Sequence, residues 1–179
     1  MPFLCHDPSL PPIVGYARTA TIKATEPSGR SKAEDLATRI GYYTHIAEAP
    51  GPTVTVIEDI DEQVGFGAHW GEVNSNLHKG LGSVGVITNG SIRDADMWAE
   101  GFGALAGFYS PSHAWVHVVD YAIPVTVHGM AVSPGDIVHA DRHGAVVVPP
   151  SAVSAIAATV KRLETAEAKL IEPSQQPGF

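Results

Sequence analysis

An adjacent arginine and aspartate, Arg93 and Asp94, carry the most distinctive chemistry in this sequence. They follow the apolar run VGVIT at positions 84–88, so they lie near the carboxyl end of a predicted buried strand, where open α/β sheets bind ligands. Arginine offers a rigid bidentate fork to a carboxylate or a developing enolate, and aspartate offers a hard oxygen to Mg²⁺. A structural alternative stays open: Ser91 and Asp94 have the spacing of a helix capping box, which would leave Arg93 on the surface.

A second polar segment, HWGEVN at positions 69–74, places Gly71 directly before a helical pattern. A helix N-terminus presents unpaired backbone N–H groups and a partial positive charge, which suits a carboxylate ligand. Gly71 would let that ligand approach the backbone closely. The same glycine is also explained by a simple turn before a helix, so this segment alone does not decide between the two.

The nine histidines invite a metal-binding interpretation, but two pairs need separate treatment. His113 and His117 fall on a predicted strand, where residues four apart share a face, so both could point toward the pocket or else lie on the surface or in an interface. His139 and His143 flank an aspartate like a zinc-binding cluster. The sequence DRHG at 141–144 is better interpreted as a β-turn whose glycine supplies a positive φ.

The bulk composition excludes several function classes. A net charge of −8 and a pI near 5.5 argue against nucleic-acid binding, which needs clustered basic residues. Cys5 is the single cysteine, so no internal disulfide is possible and a reducing compartment fits. The sequence has neither a signal-peptide pattern nor an apolar run approaching the roughly 20 residues that span a bilayer. We therefore expect a soluble cytoplasmic protein that does not associate with membranes.

The elements that must position the polar residues alternate between strands and helices, which predicts an α/β domain with two β layers. An extended N-terminal arm is expected at 1–12, the domain at 13–172 and a tail at 173–179. The predicted strands are 13–24, 53–58, 84–88, 105–109 and 115–119, with small hairpins over 124–149. The predicted helices are 33–49, a segment striped by Val73, Leu77 and Leu81, a helix from Ser91 through Trp98 to Glu100, and Ser151–Leu170 with Ser151 as a possible N-cap.

Taken together, Gly71-Glu72, twenty intervening residues and then Arg93-Asp94 resemble the signature of the RraA-like family, which includes class II 4-hydroxy-4-methyl-2-oxoglutarate aldolases. The stretches GMAVSPGD at 129–136 and DRHGAVVVP at 141–149 resemble a second landmark of that family, and the likeness extends from about residue 13 to residue 170. The resemblance implies a swivelling β/β/α-type single domain with mixed sheets and a C-terminal helix. It also implies a homotrimer or homohexamer with its site in a cleft between subunits.

The resemblance assigns roles to individual residues. Asp94 would hold Mg²⁺ or Mn²⁺, directly or through a water, and Arg93 would contact the substrate oxygens and stabilise the pyruvate enolate. Glu72, where the aldolases typically have aspartate, would lie in the outer shell of the metal. The backbone N–H groups of Val73 and Asn74 would receive the substrate carboxylate.

The implied function is a divalent-metal-dependent lyase that cleaves a 4-hydroxy-2-oxo diacid to pyruvate, decarboxylates oxaloacetate, or does both. A glutamate from the C-terminal region of a neighbouring subunit, with Glu164 and Glu167 as candidates, would complete the site. The alternative is a non-catalytic regulator of this family that binds a ribonuclease. The acidic residue 72 together with Arg93-Asp94 favours the enzyme. Methyl transfer, another label in the family, is set aside because no glycine-rich nucleotide loop follows the first strand.

Overall fold

The computed structural model describes residues 3–179 and comprises two compact units, Met1–Val147 and Val148–Phe179. The strands in chain order are β1 (Leu4–Cys5), β2 (Ile13–Lys23), β3 (Thr53–Asp59), β4 (Ala68–Trp70), β5 (Ser83–Thr88), β6 (Ser91–Ile92), β7 (Gly103–Ala106), β8 (Phe108–Tyr109), β9 (His117–Tyr121), β10 (Val125–Val127), β11 (Met130–Val132), β12 (Ile137–Asp141) and β13 (Gly144–Val148). The helices are α1 (Lys32–Ala47), α2 (Glu72–Gly80) and, in the second unit, α3 (Val153–Ser174), which follows a 3₁₀ turn at Pro150–Ala152.

A mixed sheet of eight strands forms the centre of the first unit, in the order β1-β7-β5-β3-β2-β12-β13, with β9 also paired to β2. Strands β2, β3, β5 and β7 run parallel to one another, and β1, β9 and β12 pair antiparallel. A separate three-stranded parallel sheet has the order β4-β6-β8, and β10 pairs with β11 as a hairpin. The chain is thus a mixed α/β protein with a C-terminal helix, as the sequence predicts.

Both faces of the large sheet are covered by apolar side chains. The neighbouring residues Val86 and Ile87 of β5 belong to different core clusters, since successive side chains in a strand point to opposite faces. Such two-sided burial explains why β3 and β5 appear in the sequence as nearly continuous apolar runs rather than as alternating ones. The predictions for β2, β3 and β5 are confirmed to within one residue at each end.

Helix α1 begins where local chemistry specifies it. Ser31 is its N-cap: the Ser31 hydroxyl accepts from the Glu34 backbone N–H at 3.3 Å, and the Glu34 carboxylate accepts from the Ser31 N–H at 2.8 Å. This reciprocal capping box satisfies two helix-terminal N–H groups that would otherwise be unpaired. The predicted helix at 33–49 is therefore confirmed, with shifts of one and two residues at its ends.

The helix predicted from Ser91 to Glu100 is wrong. Ser91 and Ile92 form β6, which lies between β4 and β8, and the chain then continues through turns. Asp94 has φ 54°, a left-handed conformation that a right-handed helix cannot contain. The capping-box alternative also fails, because the Ser91 hydroxyl donates to the carbonyl of Gly65.

Two further helix predictions need correction. In α2 the predicted stripe is not the buried face: Val73 and Leu77 are 60% and 45% exposed, while Ser75 and His78 are buried. In the second unit α3 starts at Val153 with Ala152 as N-cap and no capping side chain, so the prediction that Ser151 caps it is wrong. The predicted domain boundaries at residues 12 and 172 stay predictions. Among the described residues, no helix combines the length and apolarity needed to cross a membrane.

Candidate functional site

The small sheet β4-β6-β8 brings the two polar segments together. Gly71 follows β4 directly and Arg93 follows β6 directly, and these two strands are parallel neighbours in which Trp70 pairs with Ile92. The Arg93 N–H donates to the Trp70 carbonyl at 2.9 Å, which extends the pairing by one hydrogen bond. Because the carboxyl ends of parallel strands meet at one edge, residues that are twenty-two positions apart become neighbours.

The Asp94 carboxylate lies between Arg93 and the start of α2. Its Oδ2 atom is 2.8 Å from Nη1 of Arg93 and 3.4 Å from the backbone nitrogen of Glu72. The two side chains are 30% and 26% exposed, so both remain reachable from solvent. The Nε atom of Arg93 is buried and has no hydrogen-bond partner among the described residues. The predicted Arg-Asp pair therefore forms a half-buried ion pair at a helix N-terminus.

Gly71 makes this arrangement possible. A Cβ atom at position 71 would lie 2.6 Å from Oδ2 of Asp94, closer than such atoms approach in proteins, and 3.0 Å from Cγ of Arg93, which is a tight contact. The φ of Gly71 is −177°, an extended conformation that any residue adopts. Glycine is therefore needed at position 71 because the Asp94 carboxylate occupies the space of a side chain, and not because of the backbone conformation.

The loop that carries Arg93 and Asp94 is held by Trp98, a residue that the sequence did not single out for function. Its indole N–H donates to the Arg93 carbonyl at 2.7 Å, and the Met97 N–H donates to the Asp94 carbonyl at 2.9 Å. The Trp98 ring packs against His6, with ring centroids 4.6 Å apart. These contacts fix a turn in which Asp94 keeps its left-handed conformation. In the sequence, the only sign of the contact between Trp98 and Arg93 was a tryptophan five residues after an arginine.

The first turn of α2 has open backbone donors. The N-cap residue Gly71 has no side chain to cap the helix, only the Glu72 N–H is directed to Asp94, and the Glu72 side chain is exposed. The Asn74 side chain is already occupied: its amide donates to the His69 carbonyl, and its Oδ1 accepts from the Tyr43 hydroxyl at 3.2 Å. An anionic group near this turn would therefore meet backbone N–H groups and the positive end of the helix dipole rather than side-chain donors.

A groove of about 780 Å³ runs beside α1 and α2. Val73, Asn74 and His117, three of the predicted substrate-binding residues, contribute to its lining. Arg93 and Asp94 are not among its lining residues. The predicted site residues therefore fall into two groups: some line the groove, and Arg93 and Asp94 form the ion pair next to Gly71. Two basic side chains, Lys32 and Arg39, and one acidic side chain, Asp35, also line the groove.

His113 and His117 do not share a strand, and the prediction that they do is wrong. His117 begins β9, but His113 lies in the preceding loop, where its Nδ1 is 2.7 Å from the Ala114 carbonyl oxygen. Ala114 has φ 48° and turns the chain between them. The predicted β-turn at 141–144 is confirmed: the His143 N–H donates to Oδ1 of Asp141 at 2.7 Å. Within residues 3–179 no three His, Cys, Asp or Glu side chains gather into a metal-binding group.

A buried polar relay lies under α2, and the sequence did not predict it. The Tyr42 hydroxyl is 2.6 Å from Nε2 of His78, and Nδ1 of His78 is 2.6 Å from the Asn74 carbonyl oxygen. Since a carbonyl only accepts, Nδ1 carries the proton and Tyr42 donates to Nε2. Burial lowers the pKa of His78 to about 4. Burial also lowers the pKa of His69 to about 3, and the neighbouring His78 contributes to that decrease. Both imidazoles are therefore neutral at physiological pH.

A second buried network holds the loop that leads to β4. The Asp61 carboxylate accepts from the backbone N–H groups of Ala24 and Thr25 at 2.5 and 3.1 Å, and from the Thr25 hydroxyl at 2.6 Å. Asp59 accepts from the N–H groups of Asp61 and Gly65, at 3.0 and 2.8 Å, and burial raises its pKa. The sequence signal was the DID triplet at the end of a buried strand, where acidic side chains have backbone donors to satisfy.

The donor chemistry at Asp94 fits a hard divalent cation. Oδ2 contacts Arg93 and Glu72, whereas Oδ1 has no hydrogen-bond partner among the described residues. Mg²⁺ is commonly bound by one or two carboxylates, with waters and substrate oxygens completing its octahedron. Asp94 supplies one such carboxylate, and Glu72, whose backbone nitrogen is 3.4 Å from Oδ2 of Asp94, carries an exposed second one.

The model of one protein family matches residues 3–147, with the description RraA-like: Aldolase/RraA. The chain belongs to the RraA-like family. This family includes both aldolase and decarboxylase enzymes and inhibitors of ribonuclease E. The family match ends at Val147, where the first compact unit also ends, so α3 lies beyond it. No curated protein matches this RraA-like chain.

Solved structures share the fold of this RraA-like protein. RraAS2 of Streptomyces coelicolor, called an unusual member of the RNase ES inhibitor RraA family, is 26% identical, with a TM-score of 0.69 over 93% of this chain and 79% of the other. The RNA-processing inhibitor RraA of Thermus thermophilis is 20% identical, with a TM-score of 0.59 over 83% and 84%. A structure described as a novel cellulase from gut-associated microbes is 18% identical, with a TM-score of 0.74 over 93% and 72%.

Proposed function

We propose that this RraA-like protein is a divalent-metal-dependent lyase that acts on a small 2-oxo acid. Its reaction would be retro-aldol cleavage of a 4-hydroxy-2-oxo diacid to pyruvate, decarboxylation of oxaloacetate, or both. The observation that carries the proposal is the contact of the Asp94 carboxylate with both Arg93 and the N-terminus of α2. This contact brings a carboxylate, a guanidinium and the start of a helix together.

The residues of the chain divide the work of binding and charge stabilisation. The backbone N–H groups at the start of α2, at Val73 and Asn74, would receive the substrate carboxylate, supported by the helix dipole. The guanidinium of Arg93 would donate to the oxygen that gains negative charge when the C–C bond breaks, which lowers the barrier most when the donor is already in position. Trp98 holds the Arg93 carbonyl and the Asp94 carboxylate holds its guanidinium, so this donor is oriented before substrate arrives.

Asp94 would hold the cation, with Glu72 in its outer shell. When bound, a divalent cation withdraws electrons from the 2-oxo group, and retro-aldol cleavage and decarboxylation both benefit from that polarisation. The Arg93 side chain neutralises part of the Asp94 charge and keeps the carboxylate fixed against Gly71. The exposed Glu72 carboxylate is free to accept hydrogen bonds from water at this position.

The test is pyruvate release by the purified chain from oxaloacetate and from 4-hydroxy-4-methyl-2-oxoglutarate, followed with lactate dehydrogenase. We expect activity with Mg²⁺ or Mn²⁺, loss in EDTA and recovery when metal is restored. Asp94→Asn keeps a side chain that tolerates the left-handed conformation and should reduce kcat/KM at least about 100-fold. Asp96→Asn, two residues away and exposed, is the matched control and should retain activity. A metal-replete protein that converts neither substrate would contradict the proposal.

The second candidate is a regulator that binds a ribonuclease. The structural similarity to RraAS2, an unusual member of a ribonuclease-inhibitor family, favours it. A regulator would use its surface and would tolerate Asp94→Asn. Stable co-purification with a ribonuclease, unchanged by Asp94→Asn and combined with absent lyase activity, would place the regulator ahead of the enzyme.

A further inference from the structure

Ser75 is a buried serine of α2 whose hydroxyl bonds to two separate parts of the candidate site. The residue is 0% exposed. Its hydroxyl donates to the Glu72 carbonyl at 2.9 Å and accepts from the Ala99 N–H at 3.0 Å. These directions are fixed, because a carbonyl oxygen only accepts and a backbone N–H only donates. A serine inside a helix often bonds to a carbonyl of the preceding turn, but the contact with Ala99 has no such local origin.

This hydroxyl closes a ring of contacts that starts and ends at Glu72. Ala99 directly follows Trp98, whose indole N–H donates to the Arg93 carbonyl at 2.7 Å. The next residue, Asp94, returns to the helix, with its Oδ2 atom 3.4 Å from the Glu72 nitrogen. That last contact is the longest in the ring. The shorter hydrogen bonds therefore hold the two sides of the ring at their separation, and the Asp94 carboxylate lies within that frame.

Strand pairing does not set this separation by itself. It ends at Arg93, whose N–H donates to the Trp70 carbonyl at 2.9 Å. Within the described residues, two side chains of α2 then hydrogen-bond to the chain that leaves the following turn. Lys79 donates to the Glu100 carbonyl at 2.6 Å in an exposed position, whereas the contact of Ser75 is buried. Since water does not compete for a buried hydrogen bond, the serine contact constrains the chain more strongly than the lysine contact does.

We propose that Ser75 is a positioning residue for the lyase reaction, an inference that rests on the proposed function. Its hydroxyl fixes the spacing between the first turn of α2, where the substrate carboxylate would bind, and the turn that carries Arg93 and Asp94. The carboxylate and the oxygen that gains charge belong to one small molecule, so the donors that meet them must keep a set separation. Loss of the hydroxyl leaves the backbone donors of α2 in place and moves Arg93 out of alignment. The effect therefore falls on kcat rather than on KM.

The first experiment measures steady-state kinetics of Ser75→Ala with Mg²⁺ and the 2-oxo acid that the wild type converts. We expect kcat to fall about 10-fold or more and KM to change less than about 2-fold. Lys79→Met removes the exposed hydrogen bond between the same two segments and should keep kcat within about 2-fold of the wild type.

Ser75→Cys keeps a weakly hydrogen-bonding atom at this position and should give a kcat between those of the wild type and Ser75→Ala. Near-UV circular dichroism at the assay temperature verifies that each variant is folded. If Ser75→Ala does not fold, the decrease of kcat in Ser75→Cys carries the test. A wild-type kcat in the folded Ser75 variants, or a rise in KM with kcat unchanged, would overturn the inference.

The second experiment is a double-mutant cycle with Trp98→Phe. Ser75 and Trp98 hold the same turn, so their effects on kcat should not combine independently. We expect the double variant to have a kcat within about 2-fold of the lower single variant. A decrease equal to the product of the two single decreases would show that Ser75 does not act through the Arg93 turn.

The outcomes separate this inference from the function on which it rests. Wild-type protein that converts neither oxaloacetate nor 4-hydroxy-4-methyl-2-oxoglutarate contradicts the proposed lyase and overturns the inference with it. An active wild type with an equally active, folded Ser75→Ala leaves the lyase standing and overturns the role of Ser75 alone.

Discussion

The carboxylate of Asp94 rests against the Cα atom of Gly71, so closely that a methyl group on Gly71 would lie 2.6 Å from Oδ2. This contact ties the end of β4 to the end of β6 and positions the acidic group at the start of α2. A side chain at residue 71 would therefore displace the Asp94 carboxylate from this position.

Gly71→Ala should displace the Asp94 carboxylate and the Arg93 side chain together. We expect a fall in kcat/KM of at least about 10-fold and a destabilisation of about 1–3 kcal/mol from overpacking. Steady-state kinetics and urea unfolding measure the two effects. Gly80→Ala, at the end of α2 with no atom within 4 Å of its added methyl, is the control: it should leave kcat/KM unchanged and should not destabilise the protein, because alanine favours the helix more than glycine does. Equal effects of both substitutions would contradict the role assigned to the Gly71 contact.

Trp98→Phe should show how far the indole hydrogen bond orients Arg93. The substitution keeps an aromatic ring beside His6 but removes the 2.7 Å hydrogen bond to the Arg93 carbonyl. We expect a loss of about 1 kcal/mol in unfolding free energy and a decrease in kcat that exceeds any change in KM. Trp115→Phe, at an exposed position, serves as the control. Unchanged kcat in Trp98→Phe would remove Trp98 from the positioning of Arg93.

Stability should fall as the pH drops from neutral toward 4. In the folded protein the pKa of His78 is about 4, below the ordinary value of 6.5 expected in the unfolded chain, because burial disfavours the charged form. As the pH falls below about 6.5, the unfolded chain takes up protons that the folded chain does not, so the unfolding free energy decreases down to about pH 4. His69 and His45, with pKa values near 3 and 4, add to the same trend.

Urea unfolding at a series of pH values tests this expectation. His78→Gln should lower the stability at pH 7, since the buried imidazole that joins the Tyr42 hydroxyl to the Asn74 carbonyl is lost, and should flatten the decline between pH 6.5 and 4. His113→Gln replaces an exposed histidine and should leave the slope as in the wild type. A wild-type unfolding free energy that is constant over this range would contradict the neutral, buried state of the relay.

Asp61→Asn should destabilise the protein although it changes the side chain by only one atom. Oδ2 of Asp61 accepts two hydrogen bonds from backbone N–H groups, and Oδ1 accepts one from the Thr25 hydroxyl. In Asp61→Asn an amide nitrogen, which cannot accept, replaces one of these oxygens. We expect a loss of about 1–3 kcal/mol in unfolding free energy, measured by denaturant titration. Glu62→Gln, at the next and exposed position, should be close to neutral. Comparable stability of the two variants would show that the Asp61 hydrogen bonds are not needed.

Local chemistry in the sequence determined much of this protein. The apolar runs of β3 and β5 and the helical spacing of α1 depend on neighbouring residues alone, and these three elements were predicted to within two residues. The spacing of Gly71-Glu72 and Arg93-Asp94 indicated the family, which the match over residues 3–147 confirmed. That these residues hold a metal and a 2-oxo acid stays a prediction.

Tertiary contacts decided the rest. Ser91 and Asp94 have the local pattern of a helix start, but pairing of β6 with β4 and β8 holds Ser91 in a strand, and Trp98 fixes the turn that follows. In α2 the apolar pattern pointed to the wrong face, because Ser75 and His78 are buried by partners distant in sequence: the Ala99 N–H donates to Ser75, and Tyr42 donates to His78. Hydrogen bonds across the chain can make a polar side chain part of the interior, and a local pattern does not contain those partners.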